Sequence, residues 1–394
     1  VSSPTPARRV AFEVLLAVEI GGYAGDLLHF RTAKLSSADA ALAREIVFGV
    51  LRRRAQIDLL ITPYLRQKLK KLDLEVLAAL RMGVYQLLYL EKIPPHAVVN
   101  ESVLLVKSAR KLSAAGLVNA ILRKVQAAGL PSNWPDRATE FCLPEWLLSR
   151  WSLSYGEEKA RGIAQAFLDK PEVFVRVPPD ASSDAYPGCV LESTEVPGCY
   201  RVLSGNLAEA GLRQMDIGSQ WVATQLEAEV GDEVLDLCAA PGNKTTVIAE
   251  KAQIRAACDL HLHRLLAMPA PEHPRIQLDA REPLPFRRRF SRILLDAPCS
   301  GTGTLGRNPE IRWRISPEAV LEFPAIQKRL LRNALDVLAP EGTLIYSTCS
   351  LEVEENEDIV EDVCHDYDVE VLRRLPGEVT GDGFFVARIR ARRT

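Results

Sequence analysis

Two cysteines in this 394-residue chain stand where a thiol can do chemistry. Cys299 lies in "DAPCSGTGTLG" (296–306), between a proline and a serine. It follows the run Arg292-Ile293-Leu294-Leu295 and comes three residues after Asp296. Cys349 lies in "YSTCS" (346–350), at the end of the run "TLIYSTC" (343–349). Cysteine is most often an inert packing residue, and Cys142, Cys189, Cys199 and Cys364 read that way. Cys299 and Cys349 differ because each closes an apolar run beside small, hydroxyl-bearing residues, at the end of a strand where ligands collect in an open α/β sheet.

Acids gather at the same ends. The runs "DEVLDLC" (232–238), "IRAAC" (254–258), "RIQLD" (275–279) and "RILLD" (292–296) read as strands, and Asp236, Asp259, Asp279 and Asp296 fall at or beside their ends. The first run leads into a turn of small residues, Cys238, Ala239, Ala240, Pro241 and Gly242, followed by Asn243 and Lys244. Small side chains let a ligand approach the backbone closely, and an acid at the second strand end suits a ribose diol. The turn is not a phosphate loop and carries no GxGxxG, so an adenosyl ligand without phosphates fits best: S-adenosylmethionine. A single aspartate at a strand end would read as a helix cap; the set reads as a cofactor pocket.

One reaction uses this equipment. Carbon 5 of cytosine is a poor nucleophile, and a thiolate adding to carbon 6 makes it enamine-like, able to attack a sulfonium methyl group. An acid near N3, such as Asp296, relieves the charge placed on the ring. A second thiol can assist elimination. The residues alone leave open which cysteine attacks. No metal is expected: the chain has no CxxC pair, and His261 and His263, two apart, do not share a helix face.

The elements that would carry these residues fall into three parts. Residues 8–128 read as helices: Val10, Val14, Leu15 and Val18 form a stripe, Ser36 and Asp39 have capping-box spacing, and Leu42, Ile46, Val47 and Val50 form a face closed by Arg52, Arg53 and Arg54. "DLEVLAALRMGVYQLLYL" is apolar almost all round and should be the central buried helix. Pro94-Pro95 breaks it, and helices about 96–111 and 114–128 follow. Residues 129–145 read as a proline-bearing linker, and 145–213 as a small α+β module of two helices, a strand at 172–177 and further turns. From about 231, runs and helical stretches (notably 317–338 and 352–365) alternate as βαβα, which argues a parallel sheet covered on both faces. "DVEVLRRL" and "GFFVARIR" close it as an edge hairpin. The expected domains are 1–130, 131–213 and 214–394.

Composition sets the class. With 47% hydrophobic and 25% charged residues, and no run long enough to span a bilayer, the chain reads as a globular, cytoplasmic protein with reduced thiols. Its start is no signal peptide; beginning at Val1, it suggests a trimmed end. The net charge of -2 hides an asymmetry: residues 1–130 carry about +9 and the remainder about -11. A basic module joined to an acidic one fits a nucleic-acid-binding domain tethered to something else.

"FSRILLDAPCSGTG", "YSTCS" and "EVEENE" (352–357) closely resemble the Nop/Sun-type RNA cytosine-5 methyltransferases, and "LDLCAAPGNKT" resembles their cofactor loop, with Asn243 where a second glycine is usual. "IPPHAVVNESVLLVK" (93–107) and "GLVNAILRKV" (116–125) resemble the NusB-like domain of the bacterial 16S ribosomal RNA enzymes of the Sun/Fmu type. The stretch 259–275 departs, being short and proline-rich. The resemblance covers nearly the whole chain. It implies an all-α NusB-like bundle, a small middle module and an α/β Rossmann-like class I methyltransferase domain. It implies Cys349 as nucleophile, Cys299 as helper in elimination, and S-adenosylmethionine lined by Cys238 to Lys244, Asp259, Asp279 and Asp296. It also implies 16S ribosomal RNA as partner, free or in early small-subunit particles, gripped by the helical and middle parts of a monomer with no membrane. Arg287, Arg288, Arg289, Arg307, Arg312 and Arg314 are candidates for phosphate contacts near the target. The alternatives are the same chemistry on transfer RNA, and a non-catalytic RNA-binding factor built on the NusB-like half.

Overall fold

A computed structural model describes residues 3–269 and 273–392, so part of the departing stretch 259–275, and the first two residues, lie outside the described residues. The chain forms two compact units. One comprises the residues up to Arg150 with Phe167–Asp169 and Gly306–Arg314; the other comprises Trp151–Ala166, Lys170–Leu305 and the chain from Ile315 onward.

The first unit is helical: α1 (Pro6–Glu19), α2 (Ala24–Thr32), α3 (Ser37–Arg52), α4 (Arg54–Ile61), α5 (Leu74–Tyr89), α6 (Pro95–Ser108), α7 (Ala115–Ala128) and α8 (Arg137–Phe141). The expected stripe on α1 is buried, and Ser36 Oγ caps α3 by accepting from the Asp39 N–H at 3.1 Å. Helix α5 is the centre, buried without a break from Val76 to Gln86. The charge it takes inside is paired: Arg81 bonds Asp58 through two nitrogens (2.7 and 2.8 Å) and Glu19 at 2.9 Å. Arg52, which is buried, ends α3, and Arg53 is its C-cap and joins it to α4, so the arginine run closes the helix as expected. The stretch read as a linker contains α8, whose N-terminus Asp136 caps through the Thr139 N–H.

Gly306–Arg314 belongs to this unit although it follows the Cys299 turn in sequence. Arg312 is 0% exposed and donates to the carbonyls of Arg52, Cys142 and Phe167. Trp313 Nε1 donates to Leu51 O (2.8 Å), Glu310 accepts from the Ala24 N–H (2.8 Å), and Arg314 donates to Val18 O and Gly22 O. Arg312 and Arg314 are therefore spent on helix ends, where carbonyls lack intrahelical partners. For these two, the expected phosphate contact is replaced by a structural one.

The second unit opens with α9 (Glu145–Tyr155) and α10 (Glu157–Leu168), whose ends fall in the first unit, and the antiparallel strands β1 (Phe174–Arg176), β2 (Val190–Ser193) and β3 (Cys199–Ser204) in the order β1-β3-β2. After α11 (Ile217–Thr224) the chain alternates: β4 (Glu233–Leu237), α12 (Asn243–Ala249), β5 (Gln253–Asp259), α13 (Leu262–Leu266), β6 (Arg275–Gln277), β7 (Phe290–Asp296), α14 (Pro317–Val320), α15 (Phe323–Asp336), β8 (Leu338–Thr348) and α16 (Glu357–Val363). The expected hairpin is β9 (Tyr367–Arg374) with β10 (Phe384–Ala391).

The main sheet has the order β6-β5-β4-β7-β8-β10-β9, parallel from β6 to β8 and antiparallel beyond. Alternation places its residues on two faces. Leu294, Ile345 and Val386 pack with Val222, Val247, Ile248 and Leu265; Ile293, Leu295, Leu344 and Tyr346 pack with Leu330, Leu331 and Ile359. Both faces are thus covered, which explains the near-continuous apolar runs. The strand order reverses at β4, which has β5 on one side and β7 on the other, and this switch point fixes where a ligand crevice opens. Among the described residues no helix is long and apolar enough to cross a membrane.

Candidate active site

The β4–α12 turn supplies one wall of that crevice. Cys238 and Gly242 both take left-handed backbone (φ +60° and +90°), and α12 begins at Asn243. The residue that needs glycine is Gly242, where a Cβ would also press on Met268. Asn243 is already helical, so the unusual residue there carries no backbone strain. Asp236 lies inside β4, 1% exposed; its Oδ2 accepts from Thr245 Oγ1 (2.6 Å) and its Oδ1 has no hydrogen-bond partner. Burial pushes its carboxyl up to about 7. Asp259 ends β5 and accepts from the N–H groups of Ala240 (3.2 Å) and His261 (2.9 Å), which ties the first two strand-end turns together. Asp279 sits two residues past β6 and is gripped by Arg281, with contacts of 2.6 to 3.1 Å that hold its carboxyl below the usual range.

The two cysteines meet. Strands β7 and β8 pair in parallel with Asp296 opposite Ser347, so the turns after them lie side by side. Cys299 Sγ and Cys349 Sγ are 3.3 Å apart. Gly303 N–H donates to Cys349 O (2.8 Å) and Gly383 N–H to Gly303 O (2.7 Å). A Cβ on Gly303 would sit 2.6 Å from Gly383 O and 2.8 Å from Cys349 O, so only glycine lets these three chain segments close. The bond to Cys349, burial, and the charges of Cys349, Glu355 and Asp296 push the Cys299 thiol well up. In the S–H···S contact either sulfur can be the donor.

Lys244 reaches from α12 to Asp296, Nζ to Oδ2 at 2.6 Å, and lies over the Phe384 ring at 5.1 Å. Burial opposes its charge, but the charge of Asp296 and its hydrogen bond outweigh this and hold the ammonium up. Asp296 Oδ1 accepts from Ser347 Oγ (2.8 Å). Cys349, Cys299, Asp296 and Lys244 are thus linked at one place. Arg287, Arg288 and Arg289 are not: they precede β7, at the opposite end of the sheet. Arg288 pairs with Glu233 at the start of β4, and Arg289 donates to Leu338 O. The expectation that they contact phosphates near the target is corrected by strand direction alone. Among the other cysteines, Cys142, Cys199 and Cys364 are buried and Cys189 is partly exposed.

The crevice fits S-adenosylmethionine. Carboxylates at successive strand ends repel a polyphosphate but suit a ribose diol, an amine and a sulfonium cation, and the unpaired Oδ1 of Asp236 and the Gly242 cradle both lie in this wall. Asp236 makes a stability prediction. A folded value near 7, against an ordinary value of about 3.9, means the folded chain holds a proton that the unfolded chain has released. Stability is then full below about pH 4 and lost as pH rises through about 7. Asp236→Asn keeps an acceptor for Thr245 and should remove this loss. Melting curves at pH 5 and pH 8 check it, and parallel profiles for the two proteins would refute it.

Residues 223–374 match the family model described as 16S rRNA methyltransferase RsmB/F, and residues 5–127 match that of the NusB family. The chain is 30% identical to the probable ribosomal RNA small subunit methyltransferase B of Bacillus subtilis, over 98% of this chain and 99% of the relative. It is 32% identical to ribosomal RNA small subunit methyltransferase B of Klebsiella pneumoniae, over 95% and 96%. The crystal structure of PH0851 shares the fold at a TM-score of 0.81 with 22% identity, covering 99% of each chain. NSun6 from Pyrococcus horikoshii with SFG shares it at 0.56 with 19% identity, covering 64% of this chain and 99% of that one. The likeness to the two curated relatives runs the length of both units, and with it the chain belongs to the RsmB/F family of S-adenosylmethionine-dependent methyltransferases.

Proposed function

We propose that this protein methylates carbon 5 of a cytosine in 16S ribosomal RNA through a covalent cysteine adduct. The observation that carries the reading is the pair of thiols, Sγ to Sγ 3.3 Å, at the ends of two adjacent parallel strands and beside the Lys244–Asp296 ion pair. S-adenosylmethionine supplies an electrophilic methyl group. The Cys349 thiolate adds to carbon 6 of the base, and the Lys244–Asp296 pair on the N3 side relieves the charge on the ring. Carbon 5, now enamine-like, takes the methyl group as the methyl's bond to the cofactor's sulfur breaks, leaving that sulfur a neutral thioether, and then gives up its proton to solvent. The carbon 6–sulfur bond breaks and Cys349 leaves as a thiolate. Cys299, with its proton retained, donates to the departing sulfur and favours release.

The basic N-terminal half and the middle module are read as the RNA grip. Arg66, Lys68, Lys70 and Lys71 form an exposed basic run before α5 and replace the arginines that the fold consumes. A site of two free thiols suits a reducing compartment such as the cytoplasm. The domains 1–130, 131–213 and 214–394 are then read as a helical RNA grip, a linker with a small RNA-binding module, and the catalyst. Bisulfite mapping of 16S RNA, incubated with enzyme and cofactor, should reveal a new 5-methylcytosine. New 5-methylcytosine in transfer RNA only would overturn the substrate, and none in either RNA would overturn the chemistry.

A further inference from the structure

The steps above leave one buried charge unused. Glu355 is 0% exposed, at the end of a short 3-10 turn (Val353–Glu355) between β8 and α16, and has no cationic partner among the described residues. Its carboxylate is surrounded by donors from around both cysteines. Oε2 accepts from the Ser300 N–H (2.8 Å) and from Gln327 Nε2 (3.1 Å). Oε1 accepts from Ser350 Oγ (2.7 Å) and from Ser300 Oγ. Ser300 follows Cys299 and Ser350 follows Cys349. Gln327, buried on α15, also donates to Pro298 O (2.9 Å), the residue before Cys299. Four donors fill the acceptor sites of one carboxylate; three come from the residues beside the two thiols and the fourth from Gln327 on α15. Other bonds also join the two turns, Ser300 Oγ with Ser350 Oγ (3.0 Å), Leu351 N–H to Thr302 Oγ1 (2.9 Å) and Gly303 N–H to Cys349 O (2.8 Å), but each is a single bond, whereas Glu355 gathers donors from both turns on one carboxylate.

We propose that Glu355 is a positioning residue: it clamps the two cysteine turns together and so sets the thiol–thiol distance on which release of the methylated base depends. The dependence on release rests on the cytosine reading above; the clamp itself does not. Burial raises the Glu355 carboxyl while the Ser300, Ser350 and Gln327 donors counter it. When charged, Glu355 joins Cys349, across on the β8 turn, and Asp296, on β7 itself, in keeping the proton on Cys299; Lys244, paired with Asp296, is the cation of the group.

The test uses the full-length protein without RNA or cofactor. Diamide takes two protons and two electrons from a pair of thiols, becoming the hydrazine while the thiols become a disulfide, so the rate of the Cys299–Cys349 link, read by mass spectrometry, reports their separation. Glu355→Ala should slow the link by on the order of 10²-fold, the scale expected for a misplacement of about 1 Å. Glu355→Gln can keep all four contacts, its carbonyl facing Ser300 N–H and Gln327 and its amide facing the two hydroxyls, which rotate to accept. It should link within about threefold of wild type. Loss of charge in Glu355→Gln should also lower the pH midpoint for alkylation of Cys299, a shift that a purely structural role would not give. A wild-type rate in Glu355→Ala, or a Glu355→Gln link as slow as that of Glu355→Ala, would overturn the clamp. Because no methyl transfer is read, failure of the clamp and failure of the cytosine assignment show up in different experiments.

Discussion

Cys349→Ala should bring methyl transfer to background and form no covalent RNA species, whereas Cys299→Ala should accumulate one that survives boiling in detergent. The difference follows from order in the reaction. Without Cys349 nothing adds to carbon 6, and carbon 5 stays inert. Without Cys299 the attack and the methyl transfer remain possible, but the departing sulfur has lost the donor 3.3 Å away. The adduct should need cofactor, since the stall follows methylation. The double variant should behave like Cys349→Ala alone, because residues acting in sequence on one intermediate do not contribute independently. A denaturing gel with labelled RNA, wild type beside the three variants, reads all of this. An adduct in Cys349→Ala and none in Cys299→Ala would exchange the two roles. No adduct in either, with methylation intact in both, would end covalent catalysis by these thiols.

Arg312→Ala should destabilise the helical unit by about 3–5 kcal/mol, an effect at the high end for a single substitution. It removes a guanidinium that donates to Arg52 O, Cys142 O and Phe167 O, and leaves a void where the side chain was wholly enclosed. Burial pulls Arg312 down to about 9, so it is still charged at neutral pH and its bonds are charge-assisted. Arg312→Lys should recover only part of the loss, because a single ammonium cannot span carbonyls from three chain segments as a planar fork does. Urea unfolding, followed by Trp313 fluorescence beside the substituted position, measures it. A loss below about 0.5 kcal/mol, the range of ordinary surface changes, would show that the buried contacts carry no net stability.

The catalytic half was legible because two periodicities agree there. Short apolar runs with acids at their ends can hardly be anything but parallel strands facing a ligand, and β4, β5, β7 and β8 lie within a few residues of where the runs place them. Cys299 and Cys349 follow from the pairing of adjacent strands. Helix α2 was not legible: Leu28 is buried while Phe30, two residues on, is 76% exposed, and no stripe marks the helix. Nor was Glu355. In "EVEENE" it looks like one charge in a solvated run, and its partners come from positions 300, 327 and 350, which only the folded chain gathers. Arg312 failed for a related reason: an arginine is read as surface charge until three free carbonyls surround it. Arg287, Arg288 and Arg289 are a different kind of error. They precede a strand whose far end holds the site, and the order of residues already showed this.

The excursion Gly306–Arg314 has a consequence for how such a protein is inherited. A recombination event that exchanged the chain up to about residue 150 would bring in a new helical bundle but leave behind the nine residues that fit the old one. Its offspring would carry a tryptophan and two arginines shaped for sockets no longer there. A successful exchange must replace three separated stretches of gene at once. The helical unit and the peptide after the Cys299 turn are therefore expected to change together through descent, as partners in one fit, while the strands that flank the peptide drift on their own terms.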